Sequence, residues 1–230
     1  MGASDPAVQG RQARRYQSPR REQQARRTRA RIITAAARRF LDCGYAGTTM
    51  RAVAADAGVA LPTVELAVGT KARLLKAVID TAVAGDVEPV PMLAREWAEQ
   101  AESTSSAAEF AAAFAQQLAE SAQRAAGLTL AALEAARIDA DIAAVATQLV
   151  NQRQVMAAWL VDGLRHRSPL RNGVDRDSAI AAVWALMDPA LFCRLTSDQR
   201  WSNARFRDWF ADAVVRLLLP VNDHQATSTP

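Results

Sequence analysis

The sequence predicts an all-α protein: a small N-terminal head of three short helices and a larger helical body. Three observations carry this. Apolar residues recur at helical spacing from about Thr28 to Leu218. Gly, Pro and capping residues fall where helices end and restart. No segment alternates polar and apolar residues in the manner of a strand.

The elements follow in order. Residues 1–27 hold Gly, Pro, Ser, Gln and seven arginines, with almost nothing to bury, and read as a disordered basic arm. From Thr28, Ile33, Ala36, Ala37, Phe40 and Leu41 share one helix face, and Gly44 sits where a helix C-terminal glycine belongs. Thr48 and Thr49 can cap a short second helix that turns Met50, Val53 and Ala54 inward, and Gly58 ends it. Pro62 suits the first turn of a third helix, where its missing N–H costs nothing; Val64 and Val68 face inward and Gly69 closes it. Thr70 caps a fourth helix with Leu74, Leu75, Val78 and Ile79 apolar. After Pro89 and Pro91, a helix is expected from about Met92 to Glu102. Ser106 and Glu109 form a capping box that opens a helix to about Ala126, where Gly127 separates it from a segment ending near Asp139. A long helix follows from about Ala140 to His166; Asp175 and Ser202 cap two more, and Pro220 stops the last. The domains are therefore 1–27 (arm), 28–75 (head), 76–220 (body) and 221–230 (flexible tail).

Composition narrows the chemistry. The chain has 230 residues, half of them hydrophobic, enough for a substantial core. No apolar run approaches the roughly 20 residues that span a bilayer, and the charged N-terminus lacks the apolar stretch of a secretory signal, so a cytoplasmic protein without a membrane partner is expected. Cys43 and Cys193 form no metal or redox pattern and are expected to pack as small hydrophobes. Only His166 and His224 offer imidazoles, which removes most His-dependent catalysis and most transition-metal sites. No Glu-x-x-His pair of a di-iron bundle occurs, and Asp139 with Asp141 is too sparse for a metal-dependent lyase. No enzyme, cofactor or metal is expected.

Charge is uneven. Residues 1–80 carry 15 Arg or Lys against 6 Asp or Glu, while the remainder is mildly acidic. A basic end joined to an acidic body points to a nucleic-acid contact, or else to a solvated tail. Three short helices with a tight Gly-containing turn between the second and third make the helix-turn-helix pattern, or an ordinary small bundle. In the first case the front of the third helix is free to enter a major groove.

The stretch from Arg31 to Leu75 resembles the tetracycline-repressor (TetR) family of transcription factors. Ile33 to Phe40, Gly44-Tyr45, Thr48-Thr49-Met50-Arg51, Val53-Ala54, Ala57-Gly58-Val59, Pro62-Thr63-Val64, Gly69-Thr70-Lys71 and Leu74-Leu75 carry the resemblance without a gap. Asp188-Pro189 with Leu191, then Trp201-Ser202 and Phe206 to Trp209, look like the closing helices of such regulators. The resemblance implies a homodimer joined by its last two helices, with Trp201, Phe206, Trp209 and Phe210 as interface or core. It also implies a palindromic operator of double-stranded DNA, and a small-molecule effector that releases a repressor from it.

Carried over residue by residue, Thr63 would contact a base or phosphate and Lys71 a phosphate. Thr48 and Thr49 would present backbone N–H groups to a phosphate. Tyr45, Arg51, Ala60, Leu61 and Pro62 would complete the DNA face. Glu65 stands where the family usually has Tyr, and Ala67 and Val68 where an aromatic pair usually follows. Without Lys or Arg, the third helix cannot make the common guanine contact, so Ala60, Leu61 or Thr63 would touch thymine methyls. Arg26, Arg27, Arg29 and the more distal arginines would then supply affinity from the minor groove, and deleting residues 1–25 should flatten the salt dependence of binding.

In the body, Trp97, Phe110, Phe114, Met156, Trp159, Trp184 and Met187 are candidate contacts for an apolar or aromatic ligand; side chains of this kind at helical spacing serve equally as core. Two other functions remain open: a DNA-binding protein without sequence preference, anchored by its arm, and a regulator that answers to no ligand.

Overall fold

The computed structural model describes residues 19–88 and 90–220, and within them every regular element is helical. The arm up to residue 18, Pro89 and the tail 221–230 lie outside the described residues.

Helix α1 (Pro19–Gly47) begins nine residues before the position expected from apolar spacing. Its first turns bury nothing, but Arg, Gln, Glu and Ala are strong helix formers, and Glu22 suits the positive N-terminal end. Gly44 adopts φ 66°, a left-handed conformation, and bends the end of the helix. Helix α2 (Met50–Ala57) is capped by Thr49, whose hydroxyl accepts from the Ala52 N–H at 3.1 Å. Helix α3 (Leu61–Val68) has Pro62 in its first turn. Helix α4 (Lys71–Ala84) is capped by Thr70, which accepts from the Arg73 N–H at 3.3 Å. Only Gly69 and Thr70 separate α3 from α4, so the two move together.

The head's core is Ile32, Ala36 and Phe40 of α1, Val53 of α2, Val64 of α3, and Leu74, Leu75 and Ile79 of α4. It is closed from outside the head. Leu128 and Ala132 of α6, with Ile142 and Val145 of α7, belong to the same buried cluster.

The body follows a 3-10 turn (Met92–Ala94) and Arg95, which is extended; α5 (Glu96–Glu102) is therefore shorter than the helix expected from Met92. Helix α6 (Ala107–Ala135) opens with the Ser106–Glu109 capping box and passes through Gly127 without a break. A single interior glycine costs about 1 kcal/mol in a helix, less than the packing of α6 returns. Asp139 caps α7 (Ala140–Arg167), accepting from the Asp141 and Ile142 N–H groups. Asp175 caps α8 (Arg176–Leu186). Asp188 caps the short α9 (Pro189–Cys193), which runs into a π-helical turn (Arg194–Asp198), and Ser202 caps α10 (Asn203–Leu218).

Helix α6 is the axis: α1, α4, α5, α7, α9 and α10 all pack on it. Its alanines (Ala111, Ala115, Ala119) are fully buried and allow close approach. The second core joins Phe110 and Phe114 of α6, Leu160 and Leu164 of α7, Val183 of α8, and Phe206, Phe210 and Val214 of α10. The end of α4 is tied to α6: Arg124 donates to the Ala82 carbonyl at 2.8 Å, and the Ser121 hydroxyl to that of Val83 at 2.9 Å. Among the described residues no single helix is long and apolar enough to cross a membrane. Cys193 is half-buried, but Cys43 is exposed rather than packed, because it sits on the outward side of α1.

Candidate nucleic-acid interface and internal cavity

The outer face of the head is built by what its helices leave over. In α3, Val64 and Val68 are buried, so Pro62, Glu65 and Leu66 share the open side. Thr63 and Leu61 are half-buried on its flanks, and Ala60, the N-cap, is exposed and offers no side-chain cap. Arg51 is exposed on the first turn of α2. Arg26, Arg27 and Arg29 stand exposed on α1 as parts of a helix, not of an irregular arm.

Several expected contact residues are engaged inside the head. Arg29 donates to the Ala67 carbonyl at the end of α3, at 2.5 Å. Arg31 donates to the Ala57 carbonyl at the end of α2, also at 2.5 Å. Thr48 is 1% exposed; its hydroxyl lies 2.8 Å from the Gly44 carbonyl oxygen and 3.1 Å from that of Arg39, so it locks the α1–α2 turn while Thr49 does the capping. Lys71 donates to the Thr48 carbonyl at 2.9 Å and lies 4.0 Å above the Tyr45 ring. Tyr45 is 8% exposed and stacks on Phe40.

These side chains meet the body at one point. Burial first, then the Asp139 carboxylate beside it, pushes the Tyr45 hydroxyl up to about 12. Burial lowers the Lys71 ammonium, and the Asp139 charge opposes that shift. Asp139 is also the cap of α7, so the α6–α7 junction touches the head through Tyr45 and Lys71.

Between the body and helices α1 and α4 lies a cavity of about 1250 Å³ that is open to solvent on one side. This exceeds the roughly 300–1,000 Å³ common for small-molecule sites. It follows α6 from Phe114 to Leu133, about 28 Å at 1.5 Å per residue. Leu118, Ala122, Ala125 and Ala126 line that wall; Leu149, Val150 and Met156 of α7, with Val87, Val90, Met92 and Leu93, line the others. One end reaches Met187, Phe192 and Phe206, beside the Arg153–Asp188 ion pair (2.9 Å). The other reaches Arg26, Arg29 and Ile33 of α1 and Arg73, Lys76 and Ala77 of α4. Arg29 thus borders the cavity and also holds α3.

Of the candidate ligand residues, Phe114, Met156 and Met187 line this cavity. Trp97, Phe110 and Trp159 form an aromatic cluster with Phe114 on its other side, with Trp97–Trp159 centroids 5.5 Å and Phe110–Trp159 centroids 4.9 Å apart. Trp184 lies under the Arg153 guanidinium at 3.9 Å. Phe206 and Phe210 are core, while Trp201 and Trp209 are half-buried and meet edge-to-face at 5.8 Å. The alanines of α6 and Val87, Val90, Met92 and Leu93 were not among the sequence-predicted contacts; the recurrence of small residues along one helix was the available signal. Among the described residues no three His, Cys, Asp or Glu side chains gather as a metal site.

Residues 32–78 match the family described as Bacterial regulatory proteins, tetR family. No curated protein sequence gives a significant match. Among solved structures, a TetR-family transcriptional regulator from Rhodococcus sp. superposes with a TM-score of 0.64 at 15% identity, covering 84% of this chain and 98% of that one. The transcriptional regulator FadR from Bacillus subtilis, solved in complex with stearoyl-CoA, gives 0.64 at 16% identity over 81% and 97% of the two chains. NalD, the secondary repressor of the MexAB-OprM multidrug efflux pump in Pseudomonas aeruginosa, gives 0.62 at 18% identity over 85% and 97%. Identities this low speak for the fold; the head speaks for itself in sequence. In sequence, the head (residues 32–78) is similar to the tetR family of bacterial regulatory proteins, and the fold of the whole length is that of the solved regulators named above.

Proposed function

We propose that this protein is a transcriptional regulator that acts as a homodimeric repressor. It binds a palindromic operator through α3 of each copy and is released when a largely apolar small molecule enters the cavity. The observation that carries this reading is the position of the cavity. It borders α1 and α4, the two helices that hold α3 from behind, and Arg29 belongs to both arrangements. A ligand that displaces Arg29 or the first turns of α4 moves α3, because two residues join α3 to α4. To release DNA, the ligand must bind the non-binding arrangement more tightly than the binding one. Dimerisation places two such helices on successive major grooves. Half-buried Trp209 on the last helix, met by half-buried Trp201 just before its cap, supports α10 as part of the interface. The cavity's length and apolar walls suit an extended chain, and the Bacillus subtilis relative was solved with stearoyl-CoA.

The experiment has three readings on the full chain. Light scattering should give twice the chain mass. Selection from a random duplex pool should enrich a palindrome. A panel of apolar amphiphiles that includes stearoyl-CoA should contain at least one that frees the selected duplex. A monomer or an unenriched pool overturns the dimeric, sequence-specific reading. A duplex that no apolar compound releases overturns the effector reading alone.

A further inference from the structure

The third helix carries an unexplained side chain. Leu66 is 91% exposed, the most exposed large apolar residue among those described. It lies in the middle of α3, between the buried Val64 and Val68, so its exposure is fixed by the helix and not by a loose loop. The helix is held firmly where Leu66 sits. Arg29 bonds the next residue's carbonyl, and the Gly69 N–H donates to the Glu65 carbonyl at 2.9 Å. Nothing in the described chain touches Leu66 as a packing partner would.

What this face can read follows from its chemistry. Pro62, Glu65 and Leu66 share it, and none donates a side-chain hydrogen bond. On its major-groove edge guanine offers only acceptors, so it finds no donor side chain on this face. The one apolar feature on the floor of the major groove is the C5-methyl of thymine. We propose that Leu66 determines operator sequence by packing against a thymine C5-methyl in each half-site. This rests on the reading of α3 as a recognition helix.

The test removes that methyl alone. The full chain first selects duplexes from a random pool. Each thymine of the enriched duplex is then replaced singly by deoxyuridine. At one or two positions per half-site, binding should weaken about fourfold, the worth of one buried methyl. Leu66→Ala should weaken binding to the unmodified duplex by at least as much, and should make deoxyuridine silent at those same positions. Leu66→Met keeps an apolar tip and should keep the sensitivity. Leu66 packs on nothing, so both variants fold, and circular dichroism checks it. A deoxyuridine effect that persists unchanged in Leu66→Ala overturns the proposal, as does the absence of any sensitive thymine. A pool without enrichment overturns the recognition-helix reading beneath it, which is a different failure.

Discussion

Gly163 shows how tightly the body is built, and a single methyl there is a severe test. It lies within α7 and faces Phe110 at the start of α6. A Cβ on Gly163 would land on Cε1 and Cζ of the Phe110 ring and 3.1 Å from Cε2. Carbon atoms rest at about 3.5–4.0 Å, so the ring would have to retreat by about 1 Å or more. It has nowhere to go. Phe110 is fully buried, the Trp159 ring packs against it at a tilt with centroids 4.9 Å apart, and the Arg167 guanidinium lies 4.2 Å over its ring. Arg167 is itself fixed, donating to the Gly163 carbonyl at 2.8 Å and to that of Glu102 at 2.6 Å. Overpacking of this kind costs about 3 kcal/mol, the upper end of its range. Alanine returns about 1 kcal/mol of helix propensity. The net loss of about 2 kcal/mol lowers the melting temperature by about 4–8 °C in a chain of this size. Gly127→Ala is the control. Gly127 is exposed in α6, and a Cβ there would lie 3.3 Å from the flexible end of Leu41. The same substitution should stabilise it by about 0.5–1 kcal/mol. Differential scanning calorimetry of both variants decides the matter. A Gly163→Ala protein that melts at or above the parent temperature refutes the packing described around Phe110.

Other expectations concern charge and the cavity. Tyr45 titrates at about 12 in the fold against about 10 unfolded, so its un-ionised form adds stability below pH 10 that is lost as pH rises toward 12. Tyr45→Phe should flatten alkaline unfolding and remove a late-titrating phenol from the ultraviolet absorbance. Asp162 is held below the usual carboxylate range by Arg176 and then Arg165. Its contribution is present above about pH 4 and fades as pH falls through its lowered value. Exposure keeps that contribution under about 1 kcal/mol, and Asp162→Asn should make acid unfolding slightly less steep in denaturant titrations. Ala122→Trp should plug the cavity, leaving affinity for the selected duplex unchanged and abolishing release by any apolar compound that frees the parent. Loss of DNA affinity in that variant would mean that the cavity wall supports the head directly.

The parts readable in advance were those governed by local chemistry. Thr49, Thr70, Ser106, Asp175 and Ser202 cap their helices because a short side-chain oxygen satisfies nearby N–H groups whatever the rest of the chain does. Breaks were harder, since Gly127 reads as one and is overridden by packing. The cavity was legible only in part, through Phe114, Met156 and Met187. A void is lined by what fails to meet, here alanines of α6 and residues of distant elements, whereas the large aromatics that attract attention fill space instead. Leu66 was within reach: with Val64 and Val68 inward, helical geometry turns the residue between them outward.

The shared core of the head sets a condition on anyone who would transplant it. Leu128, Ala132, Ile142 and Val145 seal the back of α1 and α4, so a cut after α4 leaves that apolar surface bare. A chimera that grafts this head onto another sensor body must carry those four contacts across, or find equivalents in the recipient. Interchangeability between regulators of this architecture is then limited by a seam of buried side chains, not by the length or flexibility of a linker.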